Sequence, residues 1–151
     1  MQHVLEKLAA TNPASEIWWD SSPLIYGKWA DGVLKSAPED KRDLWSEQLS
    51  RFLDPATVAS SGEMGFRGVT TNPPLSLQAI KGDPDRWVSR IRALCNEEPS
   101  ATVEEVYWKI YLEVVRDGAA MIRSVWDASN GLYGFVSGQV DPRCVTDYDA
   151  M

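Results

Sequence analysis

Three side chains able to do chemistry sit at the ends of three apolar runs: Asp20 in Ile-Trp-Trp-Asp, Asn72 in Gly-Val-Thr-Thr-Asn, and Gln139 in Phe-Val-Ser-Gly-Gln. A carboxylate such as Asp20 can carry a proton near neutrality. The amide of Asn72 can both donate to and accept from a hydroxyl or carbonyl. Gln139 has the same hydrogen-bonding capacity but no usable ionisation, so it can orient a water or a substrate and cannot deprotonate it. Strand alternation extends each group. Thr70 and Gly68 share the side of Asn72, Trp18 that of Asp20, and Ser137 and Phe135 that of Gln139. Ile17, Trp19, Val69 and Thr71 then face the other way. Asp20 and Gln139 are the catalytic candidates. Asn72, Thr70 and Ser137 are the substrate-binding candidates. Each has a plainer reading alone: Asn72 as a helix N-cap before Pro73, Asp20 as a loop cap, Gln139 as a hydrogen-bonded core amide. Their matching positions at three strand ends favour a site.

The elements that must position them alternate. A helix is expected over 2–10, a strand over 16–22, a helix over 38–53 and a second strand over 66–72. Helices over 74–81, 85–96 and 102–129 follow, then a third strand over 132–141. In the 38–53 segment Leu44, Trp45, Leu49, Phe52 and Leu53 can share a face. Thr102 and Glu105 make a capping box, and Asn130-Gly131 a helix stop. The stretches 54–65 and 95–100 read as connecting loops. Strand, helix, strand, helix, strand is an α/β pattern with a parallel sheet, in which ligands bind at the C-terminal strand ends. Thr146 and Asp149 signal a further helix start, so the chain reads as stopping where a helix begins.

Composition narrows the function classes. The 151 residues form one domain, 1–151, with 44% apolar and 25% charged residues, as in soluble globular proteins. A net charge of −7 argues against nucleic acid or an anionic membrane as partner. No signal peptide or membrane span is evident, so the cytoplasm is the expected location. Cys95 and Cys144 make neither a disulfide framework nor a zinc site; no metal and no cofactor are expected. The single histidine, His3, is a surface residue of the first helix, which removes histidine-based triads.

The strings "IWWDSS", "GVTTNPPLS" and "GFVSGQVDPR", in this order with helices between them, resemble the transaldolase family of Schiff-base aldolases over about 16–150. The resemblance implies the N-terminal portion of a (β/α)8 barrel, with Asp20 moving protons and steadying an amine and Asn72 holding substrate hydroxyls. The family's third strand usually ends Ser-x-Glu-Val-Asp, its Glu activating a water. Here Gln139 takes that place, which resembles the fructose-6-phosphate aldolase branch. The resemblance further implies a sugar phosphate or related carbonyl substrate, and a Schiff-base lysine on a fourth strand beyond the present C-terminus. The six lysines are Lys7, Lys28, Lys35, Lys41, Lys81 and Lys109. None falls in an expected strand, and only Lys28, in a loop after strand one, lies near the site.

A barrel of this kind takes about 250 residues. Three strands cannot close, which leaves two edges and an inner face without an opposing layer. Three explanations are open: part of a longer protein, a chain that self-associates or pairs with a complementary chain, or a non-catalytic scaffold or regulatory remnant. Among the seven tryptophans, the helical ones (Trp45, Trp87, Trp108 and Trp126) are expected to pack in the core.

Overall fold

The computed structural model describes residues 4–12, 14–60, 65–147 and 149. Its elements are α1 (Val4–Thr11), β1 (Ile17–Asp20), α2 (Tyr26–Ser36), α3 (Arg42–Arg51), α4 (Pro55–Ala59), β2 (Phe66–Thr70), α5 (Pro73–Gly82), α6 (Pro84–Glu97), α7 (Val103–Met121), α8 (Arg123–Ala128) and β3 (Phe135–Ser137). Single 3-10 turns lie at Pro23–Ile25, Glu39–Lys41 and Pro142–Cys144. The strands form one parallel sheet in the order β1-β2-β3. The sheet is open, so β1 and β3 are its edges.

The helices cover one face of this sheet. Val69, in the middle strand β2, is fully buried there. Trp19 stacks on Phe66, which stacks on Phe52, with ring centroids 5.8 and 4.5 Å apart. A second core holds α5, α6 and α7 together through Ala79, Trp87, Leu94, Val106, Ile110 and Val114. The other face has no opposing layer of strands among the described residues: Trp18 is 38% and Phe135 42% exposed, with the Trp126 ring edge-on to Phe135 at 4.9 Å. Gly68 lies between Trp18 and Phe135 in the register, and the Trp18 ring lies across it. A Cβ on Gly68 would stand 2.5 Å from that ring. Here glycine is required by close approach rather than by backbone angle.

Several sequence expectations change. Strand one covers 17–20 rather than 16–22. Pairing ends when the Ser21 amide donates to the Thr70 carbonyl at 2.9 Å, and Pro23 then starts a 3-10 turn. Strand three keeps only 135–137 of 132–141, and its flanks Leu132 and Val140 are exposed. The helix expected over 102–129 breaks at Ile122, whose amide turns back to Ala119 in a 3-10 closure. Periodicity hides the break because Ile122 and Val125 are both buried. The capping box is present: Thr102 Oγ1 accepts from the Glu105 amide at 3.2 Å, and Glu105 accepts from the Thr102 amide at 2.7 Å. The helix stop is also present, with Asn130 at φ 52° and Gly131 at φ 82°.

Two helices were not expected. Gly27 and Gly32 weaken the intrinsic propensity of α2, but tertiary packing holds it. The Tyr26 hydroxyl donates to the Leu49 carbonyl at 2.5 Å, and Trp29 packs against Trp19 and Tyr26. The second, α4, lies inside the loop expected at 54–65. Asp54 caps it by accepting from the Thr57 amide at 2.8 Å, and Pro55 occupies its first position. Of the helical tryptophans only Trp87 is fully buried, while Trp45, Trp108 and Trp126 are half-buried. On α3, Leu44 is exposed rather than part of the buried face. His3 and the end of the helix start expected at 146–149 fall partly or wholly outside the described residues. Thr146 itself is in a turn.

Candidate active site at the strand ends

The register decides which candidates meet. Asp20 pairs with Thr70 and Thr70 with Ser137, so the three form one row across the C-terminal end of the sheet, on its open face. Trp18, Gly68 and Phe135 form the row beneath. The Thr70 hydroxyl donates to Asp20 Oδ1 at 2.9 Å, which fixes the carboxylate relative to the centre strand. Asp20 and Ser137 are exposed and Thr70 is half-buried. The row therefore presents a carboxylate and two hydroxyls to whatever lies over the sheet.

Asn72 sits two residues further along the β2 path. Its backbone is extended, and its Oδ1 accepts from the Leu75 amide at 3.0 Å as the N-cap of α5. Pro73 and Pro74 follow and start the helix. The capping role is thus real. It occupies the side-chain oxygen. The buried Thr71 faces the helices, its hydroxyl 3.5 Å from that of Ser76.

Gln139 departs from the sequence reading in two ways. It lies two residues beyond the last residue of β3, so strand alternation no longer dictates its facing. Its side chain is also exposed, which removes the core-amide reading. What holds it is its main chain, whose N–H donates to the Tyr111 hydroxyl at 2.6 Å. Among the described residues no side-chain hydrogen bond joins Gln139 to Asp20, Thr70 or Asn72.

Lys28 is corrected as well. It belongs to α2, not to a loop, and its amine donates to the Gly82 carbonyl. Gly82 and Asn72 lie at opposite ends of α5, about 15 Å apart at 1.5 Å per residue. Lys28 is therefore tied to the end of α5 opposite Asn72. Lys7, Lys35, Lys81 and Lys109 also lie on α-helices, and Lys41 on a 3-10 turn.

The segment after β3 is pinned by charge. Arg143 donates through Nε to both carboxylate oxygens of Asp141, at 3.0 and 2.9 Å, and pairs with Glu104 at 2.9 Å. The side-chain bond from Arg143 is the main reason that the Asp141 carboxyl lies below its ordinary range. Sequence reasoning missed Tyr111. It is 1% exposed on the buried face of α7, beside Ile110 and Val114. The available signal was a hydroxyl at a core position, which must find a partner. Among the described residues no group of His, Cys, Asp and Glu could hold a metal, and no helix is long and apolar enough to cross a membrane.

The transaldolase/fructose-6-phosphate aldolase family pattern matches residues 52–151, which include β2, Asn72, β3 and Gln139 but not Asp20. The chain is 45% identical over 115 residues to transaldolase 2 of Streptomyces avermitilis, covering 74% of this chain and 30% of that protein. It is 32% identical over 117 residues to a transaldolase of Thiobacillus denitrificans (76% and 32%). With transaldolase 1 of Streptomyces coelicolor it shares 31% over 118 residues (77% and 30%). The chain thus spans about a third or less of the length of these relatives. No solved structure matches it. With three parallel strands, helices on one face and the family's pattern over two of those strands, the chain is a partial (β/α) barrel that belongs to the transaldolase/fructose-6-phosphate aldolase family.

Proposed function

We propose that this chain carries one wall of a Schiff-base aldol site acting on sugar phosphates or related ketose and aldehyde substrates. The observation that carries the reading is the Asp20–Thr70–Ser137 row at the C-terminal strand ends. In this reading Asp20 moves the proton as a carbinolamine forms and collapses, with Thr70 setting its orientation. Ser137 and the amide nitrogen of Asn72 hold substrate oxygens. Gln139 orients the catalytic water without deprotonating it, which supports the aldolase branch of the family over the transferase branch.

The covalent amine comes from outside this chain. A Schiff-base lysine must be desolvated and held in register, and the six lysines here all lie on helical segments. The open face and the free edges of β1 and β3 are where the remaining barrel, a further copy or a complementing chain would seat. The helical placement of every lysine also supports a second reading. In that reading the chain is a non-catalytic scaffold or regulatory subunit derived from such a barrel.

The test is Gln139→Glu in the whole protein that carries this chain, assayed for transfer and for aldol cleavage across pH. A carboxylate can take the water's proton, so the ratio should move toward transfer and a new ionisation should enter the pH–rate profile. An unchanged ratio with only a lower melting temperature would contradict the role given to Gln139. A second experiment separates the two readings. Borohydride trapping with a ketose phosphate should leave this chain unlabelled and label the whole protein outside it. A stoichiometric adduct on any of the six lysines would refute an external amine, and no adduct anywhere would favour the scaffold.

A further inference from the structure

We propose that Tyr111 is the positioning residue for Gln139, an inference that rests on the site reading of Gln139 given above. Gln139 stands past the end of β3, where neither sheet pairing nor side-chain burial fixes the chain. Two anchors bracket it. On one side the buried Tyr111 hydroxyl accepts the Gln139 N–H at 2.6 Å. On the other, Arg143 ties Asp141 to Glu104 at the start of α7. Both anchors fasten the segment to the same helix.

The chain comes down tightly on α7 between them. A Cβ on Gly138 would stand 3.2 Å from Val115 and 3.3 Å from the Tyr111 oxygen. Both distances are tighter than ordinary van der Waals contact, so a side chain at 138 would press on Val115 and on the Tyr111 hydroxyl. The Tyr111 ring is itself fixed, edge-on to Trp108 and stacked with Tyr107. The hydroxyl is therefore a fixed point in a rigid helix face. Packing alone would need only the ring, which phenylalanine also supplies. The oxygen is used on a main-chain group whose own side chain is a site candidate.

The experiment compares Tyr111→Phe with wild type in two ways. In the whole protein carrying the chain, amide hydrogen exchange at Gln139 should rise at least tenfold in Tyr111→Phe, with exchange at Val69 and Val136 unchanged. In the same protein, Tyr111→Phe should lower kcat for a ketose phosphate about tenfold, with KM changed less than twofold. It should add nothing further in a Gln139→Ala background. Unchanged exchange at Gln139, an equal rise across the whole sheet, or effects that multiply with Gln139→Ala would each overturn the positioning role. Wild-type turnover in Gln139→Ala alone would instead overturn the site reading on which it rests, so the two failures are distinguishable.

Discussion

The two faces of the sheet are built from the same strands and are opposite in character. On the helix side, Trp19 packs against Phe66 and against Tyr26 and Trp29 of α2, Phe66 stacks on Phe52, and Val69 is fully buried. On the open side, Trp18 and Phe135 lie beneath a row of polar groups, partly exposed, with the Trp126 ring edge-on to Phe135. The open face combines apolar surface, a glycine kept small for a tryptophan, and a carboxylate held by a threonine. Those polar groups are the ones that the proposed function uses.

The largest contrast is expected from truncating one tryptophan on each side. Trp87→Ala, which empties a site 2% exposed, should cost about 3–5 kcal/mol. Trp18→Ala, at a partly exposed site, should cost clearly less, about 1–2 kcal/mol. Denaturant midpoints of both variants check this, and similar losses would show that the open face is also part of the folded core. Next in size is Gly68→Ala, which should cost about 1–3 kcal/mol by overpacking against Trp18. In a Trp18→Ala background most of that penalty should vanish, which a double-mutant cycle measures.

Two smaller effects belong to the helix side. Thr102→Ala removes the capping box of α7 and should cost about 1 kcal/mol in the same unfolding assay. The smallest is a pH effect. The carboxyls of Asp54 and Glu105 are lowered from their ordinary values, chiefly by backbone hydrogen bonds from Thr57 and Thr102. A carboxyl lowered in the folded state binds fewer protons there than in the unfolded chain. Its stabilisation is complete above the ordinary values of 3.8 and 4.5, and is lost as pH falls through the folded values. Thermal midpoints should therefore decline below about pH 4. Asp54→Asn should flatten part of that decline; an identical acid limb would show that these caps do not contribute.

The parts legible in the sequence were those fixed by local rules. Strand alternation placed Asp20, Thr70 and Ser137 on one face, because the register of a parallel sheet preserves it. The α7 cap and the stop at Asn130-Gly131 depend only on neighbouring residues. The misses arose where distant contacts decide. α2 is held by Leu49 and by aromatic rings, against the preference of its glycines. The end of β3 is set by how far β2 can pair with it, so Gln139 fell outside the strand. Tyr111 reaches Gln139 across 28 positions of sequence. No local pattern connects them.

The central claim is that the open face carries chemistry and the helix face carries stability. Asp20→Asn in the whole protein that carries this chain tests it most directly, with turnover of a ketose phosphate and melting temperature measured on the same sample. The substitution keeps the shape and can still accept the Thr70 hydrogen bond, but it cannot move a proton. Turnover should fall about 100-fold or more, the typical contribution of a positioned acid–base group, with the melting temperature essentially unchanged. Wild-type turnover, or a loss of activity that merely follows a collapse in melting temperature, would contradict the claim.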